Sequence, residues 1–166
     1  LLTMKRHFNS NAFTLLEITI VTAVLLVLMG TAVSLISPAS SKGKARDNKR
    51  LSDVSTLDRA VNEYKLDYGQ YPGQESFLYT SDTLPAGSPN IYSAVSGWIP
   101  VDLSDYIPKY PADPVNDATY RYEYIQNTAG YEISTRLEQL TGEASSDGGN
   151  DPAKYELGIN LLLISP

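Results

Sequence analysis

The feature that most constrains this chain is an almost unbroken apolar run from Phe13 to Ile36, which carries one carboxylate, Glu17, near its start. A run of about 20 apolar residues is long enough to cross a bilayer as a helix. An ionised glutamate inside such a run costs at least about 2.5 kcal/mol, and a plain anchor has no reason to carry it. The run therefore predicts a helix that both anchors the chain and meets a specific partner through Glu17.

The residues in front of this run are basic and polar, from Met4 to Ala12. A secretory signal peptide places its apolar core before the cleavage site, whereas here the apolar run follows the small residue Ala12. This order, with FTLLEI from Phe13 onward, resembles the class III leader of type IV prepilins and type II secretion pseudopilins. The resemblance implies that a prepilin peptidase cuts between Ala12, where the family usually has Gly, and Phe13, which becomes N-methylated. It also implies that Thr14 and Glu17 serve filament assembly.

Cleavage would leave a positive amine on Phe13 in a low-dielectric environment. The resemblance implies that Glu17 of an adjacent subunit neutralises that amine, which makes the burial of both charges tolerable. Within one helix Phe13 and Glu17 lie one turn apart, so pairing inside one subunit stays open. A carboxylate that reaches the membrane interface from near the helix end is the third interpretation.

The composition limits the rest of the chain to one small domain without disulfides. The 166 residues contain no cysteine and one histidine, His7, which the predicted cut removes. About 100 residues are left for a soluble head once the leader and the stem are set aside. Histidine-dependent triads and histidine-ligated zinc are therefore excluded from the mature chain, and no Gly-rich phosphate loop is present. The sequence predicts a protein that is not an enzyme.

Charge is divided unevenly along the sequence. Residues 1–50 hold seven Lys or Arg against two acids, whereas residues 51–166 hold six against seventeen. The excess of cations after the apolar run would place the C-terminal part in the cytoplasm by the positive-inside rule, but the leader resemblance is more specific and implies the opposite side. Anionic headgroups, acidic heads of neighbouring subunits and DNA are possible partners, DNA being the least favoured. The cations in question are Lys42, Lys44, Arg46, Lys49 and Arg50.

A second helix follows the apolar one. Apolar residues recur at three- and four-residue spacing at Leu51, Val54, Leu57, Val61, Tyr64 and Tyr68. This spacing predicts an amphipathic helix that ends at Tyr68-Gly69, where glycine supplies the left-handed cap. Pro38 removes a helical hydrogen bond, so we expect an interruption between Gly30 and Pro38.

The head contains a long loop and a hairpin. Residues 74–114 are rich in Pro, Gly, Ser and Asp, and they predict a variable loop with local anchors at Trp98-Ile99 and 103–107. The segment 106–114 resembles the stretch that precedes the sheet in pilins and pseudopilins. Alternating tyrosines at 120, 122 and 124, a turn at 127–130 and a second alternating segment predict an antiparallel hairpin. The apolar segment 155–164 predicts a last strand.

The segment 142–152 clusters oxygen donors on flexible backbone, which is the chemistry that Ca²⁺ requires. Its spacing does not match an EF-hand. Major pseudopilins carry an acidic calcium loop after the sheet, so the resemblance implies Asp147, Asn150 and Asp151 as calcium ligands. A solvated Asp/Gly turn is the other interpretation. No cofactor besides calcium is predicted.

The predicted fold is α+β: a long N-terminal kinked helix packed on a small antiparallel sheet, as the resemblance to pilins implies. Its predicted segments are a leader at 1–12, an apolar half-helix at 13–37, an amphipathic half-helix at 38–68, a variable loop at 69–118, and a sheet with a C-terminal tail at 119–166.

The predicted function is that of a type IV pilus-like filament subunit, with a single membrane pass before assembly and an extracellular pilus afterwards. The alternatives are the major pseudopilin of a type II secretion system, which is periplasmic, and a single-pass protein with a binding head. The implied partners are other copies of the chain, the prepilin peptidase, a membrane assembly platform and minor pilins.

Overall fold

The structure is a computed structural model that describes residues 13–35 and 38–166. The predicted leader, with Ala12 and His7, therefore lies outside the described residues. The chain divides into two compact units, Leu1–Pro38 and Ala39–Pro166. The second unit contains the sheet and the hydrophobic core.

Helix α1 spans Leu15–Leu35. The hydroxyls of Thr19, Thr22 and Thr31 donate to carbonyls of the preceding turn, as Thr19 Oγ1 does to Leu16 O at 2.8 Å. The predicted interruption does not begin at Gly30, which lies within α1. Ile36 and Ser37, between the two helices, are outside the described residues. Over residues 13–35 and 38–166, no helix is both long enough and apolar enough to cross a membrane.

Helix α2 spans Pro38–Tyr68. Proline is well placed at its first position, where an amide would have no helical partner. At the other end Gly69 has φ +74° and its N–H donates to Lys65 O at 2.9 Å, a left-handed cap. The predicted stripe is buried at Val54, Leu57 and Val61, half-buried at Leu51 and Tyr64, and exposed at Tyr68.

The sheet has four antiparallel strands in the order β1-β2-β3-β4. They are β1 Tyr79–Thr80, β2 Tyr122–Asn127, β3 Gly130–Arg136 and β4 Lys154–Gly158. The short helix α3, Thr141–Ala144, lies between β3 and β4 in the chain. Asn127 pairs with Gly130, and the Asn127 side chain accepts hydrogen bonds from the amides of Ala129 and Gly130, which closes the predicted hairpin. This arrangement confirms the α+β prediction.

Tyrosines attach the sheet to α2. Tyr122, Tyr124 and Tyr131 are buried in the core with Ile133. The hydroxyl of Tyr122 donates to Asp53 at 2.8 Å, and that of Tyr131 donates to Asp58. Burying these rings removes apolar surface from water, which stabilises the fold. The hydroxyls of Tyr122 and Tyr131 donate to acceptors on α2.

The loop between α2 and β2 is anchored by apolar side chains, as predicted. Trp98, Ile99, Leu103 and Ile107 are buried, and Trp98 Nε1 donates to Pro111 O at 2.8 Å. An indole N–H inside a core needs such an acceptor, and this bond ties two parts of the loop to each other.

The predicted last strand is shorter than expected, since β4 ends at Gly158. Gly158 has φ +154°, and a Cβ there would lie 2.2 Å from Tyr131 O, so only glycine fits this close approach. The chain then leaves the ladder. Ile159 and Leu162 are exposed, whereas Ile164 is buried.

Candidate functional sites

The first candidate site is the N-terminal end of α1. Thr14 Oγ1 accepts a hydrogen bond from the Glu17 amide at 3.2 Å, so Thr14 caps the helix. Thr14 and Glu17 have the T-x-x-E spacing of a capping box. Phe13 is 75% exposed and Glu17 is exposed as well. The assembly roles of Thr14 and Glu17 remain predictions, and the predicted cleavage at Ala12 falls outside the described residues.

Helix α1 presents apolar side chains on all its faces. Every residue from 13 to 31 is exposed in the structure. Exposed apolar surface on this scale marks a site of interaction with other molecules. The most exposed large apolar side chains of α1 include Leu15, Leu16 and Leu26.

Three of the five cations that follow the apolar run form ion pairs with acids of the head. Arg46 pairs with Glu138, Lys49 with Asp53, and Arg50 lies in a buried cluster of acids. Lys42 and Lys44 are exposed and form no ion pair with any residue that the structure describes. Only two of the five cations are therefore free to meet a membrane, a neighbouring subunit or a nucleic acid.

Arg50 is the centre of a buried ionic cluster. Its side chain is 0% exposed and pairs with Asp113, Asp47 and Glu138 at 2.5, 2.8 and 2.7 Å. The three acids accept four hydrogen bonds from the guanidinium of this one arginine, which makes its burial tolerable. The cluster joins α2 to the loop before β2 and to the segment after β3.

Asp47 extends this cluster by binding backbone. Its carboxylate accepts amide hydrogen bonds from Glu138, Gln139 and Leu140 at 2.7–3.1 Å. Burial raises the pKa of Asp47, but these amides and Arg50 outweigh burial and lower it overall. The Arg46 side chain, followed by Arg50, lowers the pKa of Glu138 to about 2.

The predicted calcium ligands lie in the loop between α3 and β4. Asp147 accepts from the Gly149 and Glu156 amides at 2.8 and 2.7 Å, and Asp151 accepts from the Ala153 amide at 2.9 Å. The Asn150 amide nitrogen donates to Ile164 O at 3.2 Å. The two carboxylates therefore bind backbone amides of their own loop and of the start of β4, and calcium binding stays a prediction.

Two carboxylates that the sequence analysis missed lie beside this loop. Glu132 and Glu156 are buried, on β3 and β4, and Glu132 accepts the amides of Leu163 and Ile164 at 2.8 and 2.9 Å. Burial, with the neighbouring Glu132, raises the pKa of Glu156 to about 7. A glutamate on the polar face of a strand is common, so the sequence gives no signal that these two acids are buried. Their burial becomes visible only when the C-terminal tail is placed over them.

Three buried oxygens near the loop have no hydrogen-bond partner: Glu132 Oε1, Asn150 Oδ1 and Glu156 Oε1. Unpaired buried oxygens of this kind suit a hard cation. Within residues 13–35 and 38–166, however, no three His, Cys, Asp or Glu side chains are grouped so that they could hold a metal ion. A cation here would need the Asn150 amide oxygen and backbone carbonyls in addition to the carboxylates.

An exposed apolar helix, followed by an amphipathic helix packed on a four-stranded antiparallel sheet, defines the pilin and pseudopilin class of proteins. The family described as type II secretion system protein G matches residues 38–154. The chain belongs to this family of pseudopilins.

Individual relatives agree with the family match. The type II secretion system core protein G of Aeromonas hydrophila is 31% identical over 84% of this chain and 89% of its own length. The proteins of the same name from Klebsiella michiganensis and Escherichia coli K12 are 36% and 35% identical, over 66% and 67% of this chain and 70% of their own lengths. No solved structure gives a significant match. These names support the pseudopilin alternative better than the type IV pilus prediction, which is a related but different assembly.

Proposed function

We propose that this chain is a structural core subunit of a type II secretion pseudopilus. The observation that carries the proposal is the family match over residues 38–154, because that segment lies in α2 and the head and lies wholly outside the leader motif that pilins share with pseudopilins. The subunit would act by self-assembly, and no catalytic step is assigned to it. Family membership supports this structural role.

Helix α1 supplies the assembly element. Its exposed apolar surface would cost about 25 cal/mol for each Å² left in contact with water, so outside the membrane that surface must be covered by other copies of the helix. We propose that α1 helices bundle in the filament core while the heads lie outside. Glu17 would then neutralise the amine of Phe13 on a neighbouring subunit, after a prepilin peptidase has cut behind Ala12.

We also propose membrane attachment through residues 13–37 before assembly, followed by a periplasmic filament. This part rests on the apolar run in the sequence and on the resemblance of the leader in front of it to prepilin leaders. An assembly platform in the membrane and minor pseudopilins would be partners. Alkaline carbonate extraction tests attachment, since an attached subunit stays in the pellet and an unattached one is released.

The experiment that tests the function is deletion of the gene in its host, with complementation by the full chain and by Glu17→Val. We expect exported enzymes to remain in the cell after deletion, surface pili to persist, and only the full chain to restore export. Loss of pili with normal export would instead support the type IV pilus alternative. A monomer with an uncut leader in normal cells would support a single-pass binding protein.

Calcium binding by the loop of Asp147, Asn150 and Asp151 is a separate proposal. The unpaired oxygens of Asn150 and Glu156 support it, because a cation would give both of them a partner. Calcium bound to the folded state alone would stabilise the head according to its concentration relative to the dissociation constant.

A further inference from the structure

A polar pocket lies on the sheet face opposite α2. Side chains alternate along strands, so Glu123 and Arg136 point away from the face that carries Tyr122, Tyr124 and Ile133. The pocket has a volume of about 310 Å³. Its lining includes Thr119, Arg121, Glu123, Arg136 and Lys154.

Glu123 holds two of the three cations in place. Its Oε1 accepts from Arg121 Nε and Nη2 at 3.1 and 3.0 Å, and its Oε2 accepts from Lys154 Nζ at 2.9 Å and from Ser134 Oγ at 3.1 Å. Both oxygens of this buried carboxylate are therefore engaged. Glu123 fixes the position of the cations but has no oxygen left for a third one.

Arg136 is the cation without a counter-ion. It lies directly opposite Lys154 in the β3–β4 register, and like charges at such positions are destabilising. It forms no ion pair with any described residue. The other acids nearby serve other cations, since Asp82 lies 3.2 Å from Arg121 and Asp151 lies 3.9 Å from Lys154. An anion in the pocket would remove the repulsion between Arg136 and Lys154.

We infer that this pocket binds an oxyanion, either a carboxylate or a phosphate group. The planar guanidinium of Arg136 can donate two parallel hydrogen bonds to such a group. Lys154 adds a positive charge on the neighbouring strand β4. Three cations and one acid, Glu123, line the pocket, and a concave surface focuses the charge of its lining. This inference does not depend on the proposed secretion function.

The test uses the full chain in a non-ionic detergent and follows thermal unfolding in phosphate, in acetate and in chloride of equal ionic strength. We expect a saturable rise in melting temperature with phosphate or acetate over chloride. Arg136→Gln should weaken the response about tenfold or more, because a hydrogen bond to a charged group is lost. Lys109→Gln, which removes an exposed lysine outside the pocket, should respond as the unchanged protein does.

Arg136→Gln in chloride alone separates binding from a structural role. If Arg136 is only repelled by Lys154 in the free protein, the variant melts at the same or a higher temperature. A lower melting temperature in chloride, or an unchanged response to phosphate, would overturn the inference. Because Arg136 is partly exposed and unpaired, the variant is expected to fold.

The same variant identifies the source of the oxyanion. If an acidic side chain of a second copy fills the pocket, Arg136→Gln reduces filament assembly and phosphate inhibits assembly of the unchanged protein. If a free small molecule fills it, assembly is unaffected while the effect of phosphate on melting remains. Both sources of the oxyanion require that Arg136→Gln weakens the response of the melting temperature to phosphate. A variant that responds as the unchanged protein does refutes the inference for both sources.

Discussion

Arg50 and Asp113 lie 63 residues apart in sequence and form a fully buried bidentate pair, with Nε–Oδ2 and Nη2–Oδ1 distances of 2.5 and 3.0 Å. The pair fastens the middle of α2 to the loop that enters the sheet. Tyr120 lies against the same guanidinium, 4.8 Å from ring centroid to Cζ. The head is thus held by buried ionic contacts as well as by its apolar core.

Arg50→Met should destabilise the head by about 3–5 kcal/mol, because it leaves buried carboxylates without their cation. Arg59→Met on the same helix is the control, since Arg59 is exposed and pairs only with Glu63, and its loss should cost about 0.5 kcal/mol or less. Urea unfolding of the two variants measures the difference. Equal stabilities would mean that the buried cluster contributes nothing beyond packing.

Acid should destabilise the head between about pH 4.5 and pH 2. The pKa of Glu138 falls from 4.5 to about 2 on folding, so in this range the unfolded chain binds a proton that the folded chain does not. Stability is therefore fully present above the unfolded pKa and is lost as pH falls through the folded value. Urea midpoints measured from pH 6 to pH 2 give the slope, which Glu138→Gln should reduce.

Calcium should raise the melting temperature of the full chain by several degrees over the value in a chelator. Asp147→Ala and Asn150→Ala should abolish the rise, whereas Glu143→Gln in α3, an exposed acid outside the predicted set, should keep it. Identical melting curves with calcium and chelator would exclude the site.

Glu17→Val should leave membrane insertion and leader cleavage intact, since it makes the apolar run more apolar. It should abolish filament assembly, because the amine of the incoming subunit has no carboxylate partner. Glu75→Val, which removes an exposed acid from the head, is the matched control. Electron microscopy counts the filaments, and normal number and length in the Glu17→Val strain would contradict the assigned role.

Ala12→Leu should block processing, because the peptidase must accommodate the residue before the cut. Intact-mass spectrometry is expected to show the normal mature chain starting at N-methylated Phe13 and the variant keeping its leader. Ser10→Leu, a substitution of similar size inside the leader, should still be processed. A normal mature protein that retains Lys5 to Ala12 would remove the support for cleavage.

Sequence alone determined the features that depend on local pattern. The apolar run predicted a helix because nearly every position between Phe13 and Ile36 is apolar, and the 3.6-residue period predicted α2. Tyrosines at alternate positions, followed by an asparagine turn, predicted the β2–β3 hairpin, because strand faces repeat every two residues. The α+β fold followed from these elements together with the pilin resemblance.

Only the tertiary structure decided how distant charges are used. Arg46, Lys49 and Arg50 form one basic cluster with Lys42 and Lys44 in the sequence, yet the fold buries or pairs the first three and leaves two lysines free. Glu132 and Glu156 are ordinary strand acids until the loop and the tail cover them. Arg136 lacks a counter-ion because β4 places Lys154, and not an acid, opposite it. Charge pairing depends on distances across the fold, which no local period in the sequence encodes.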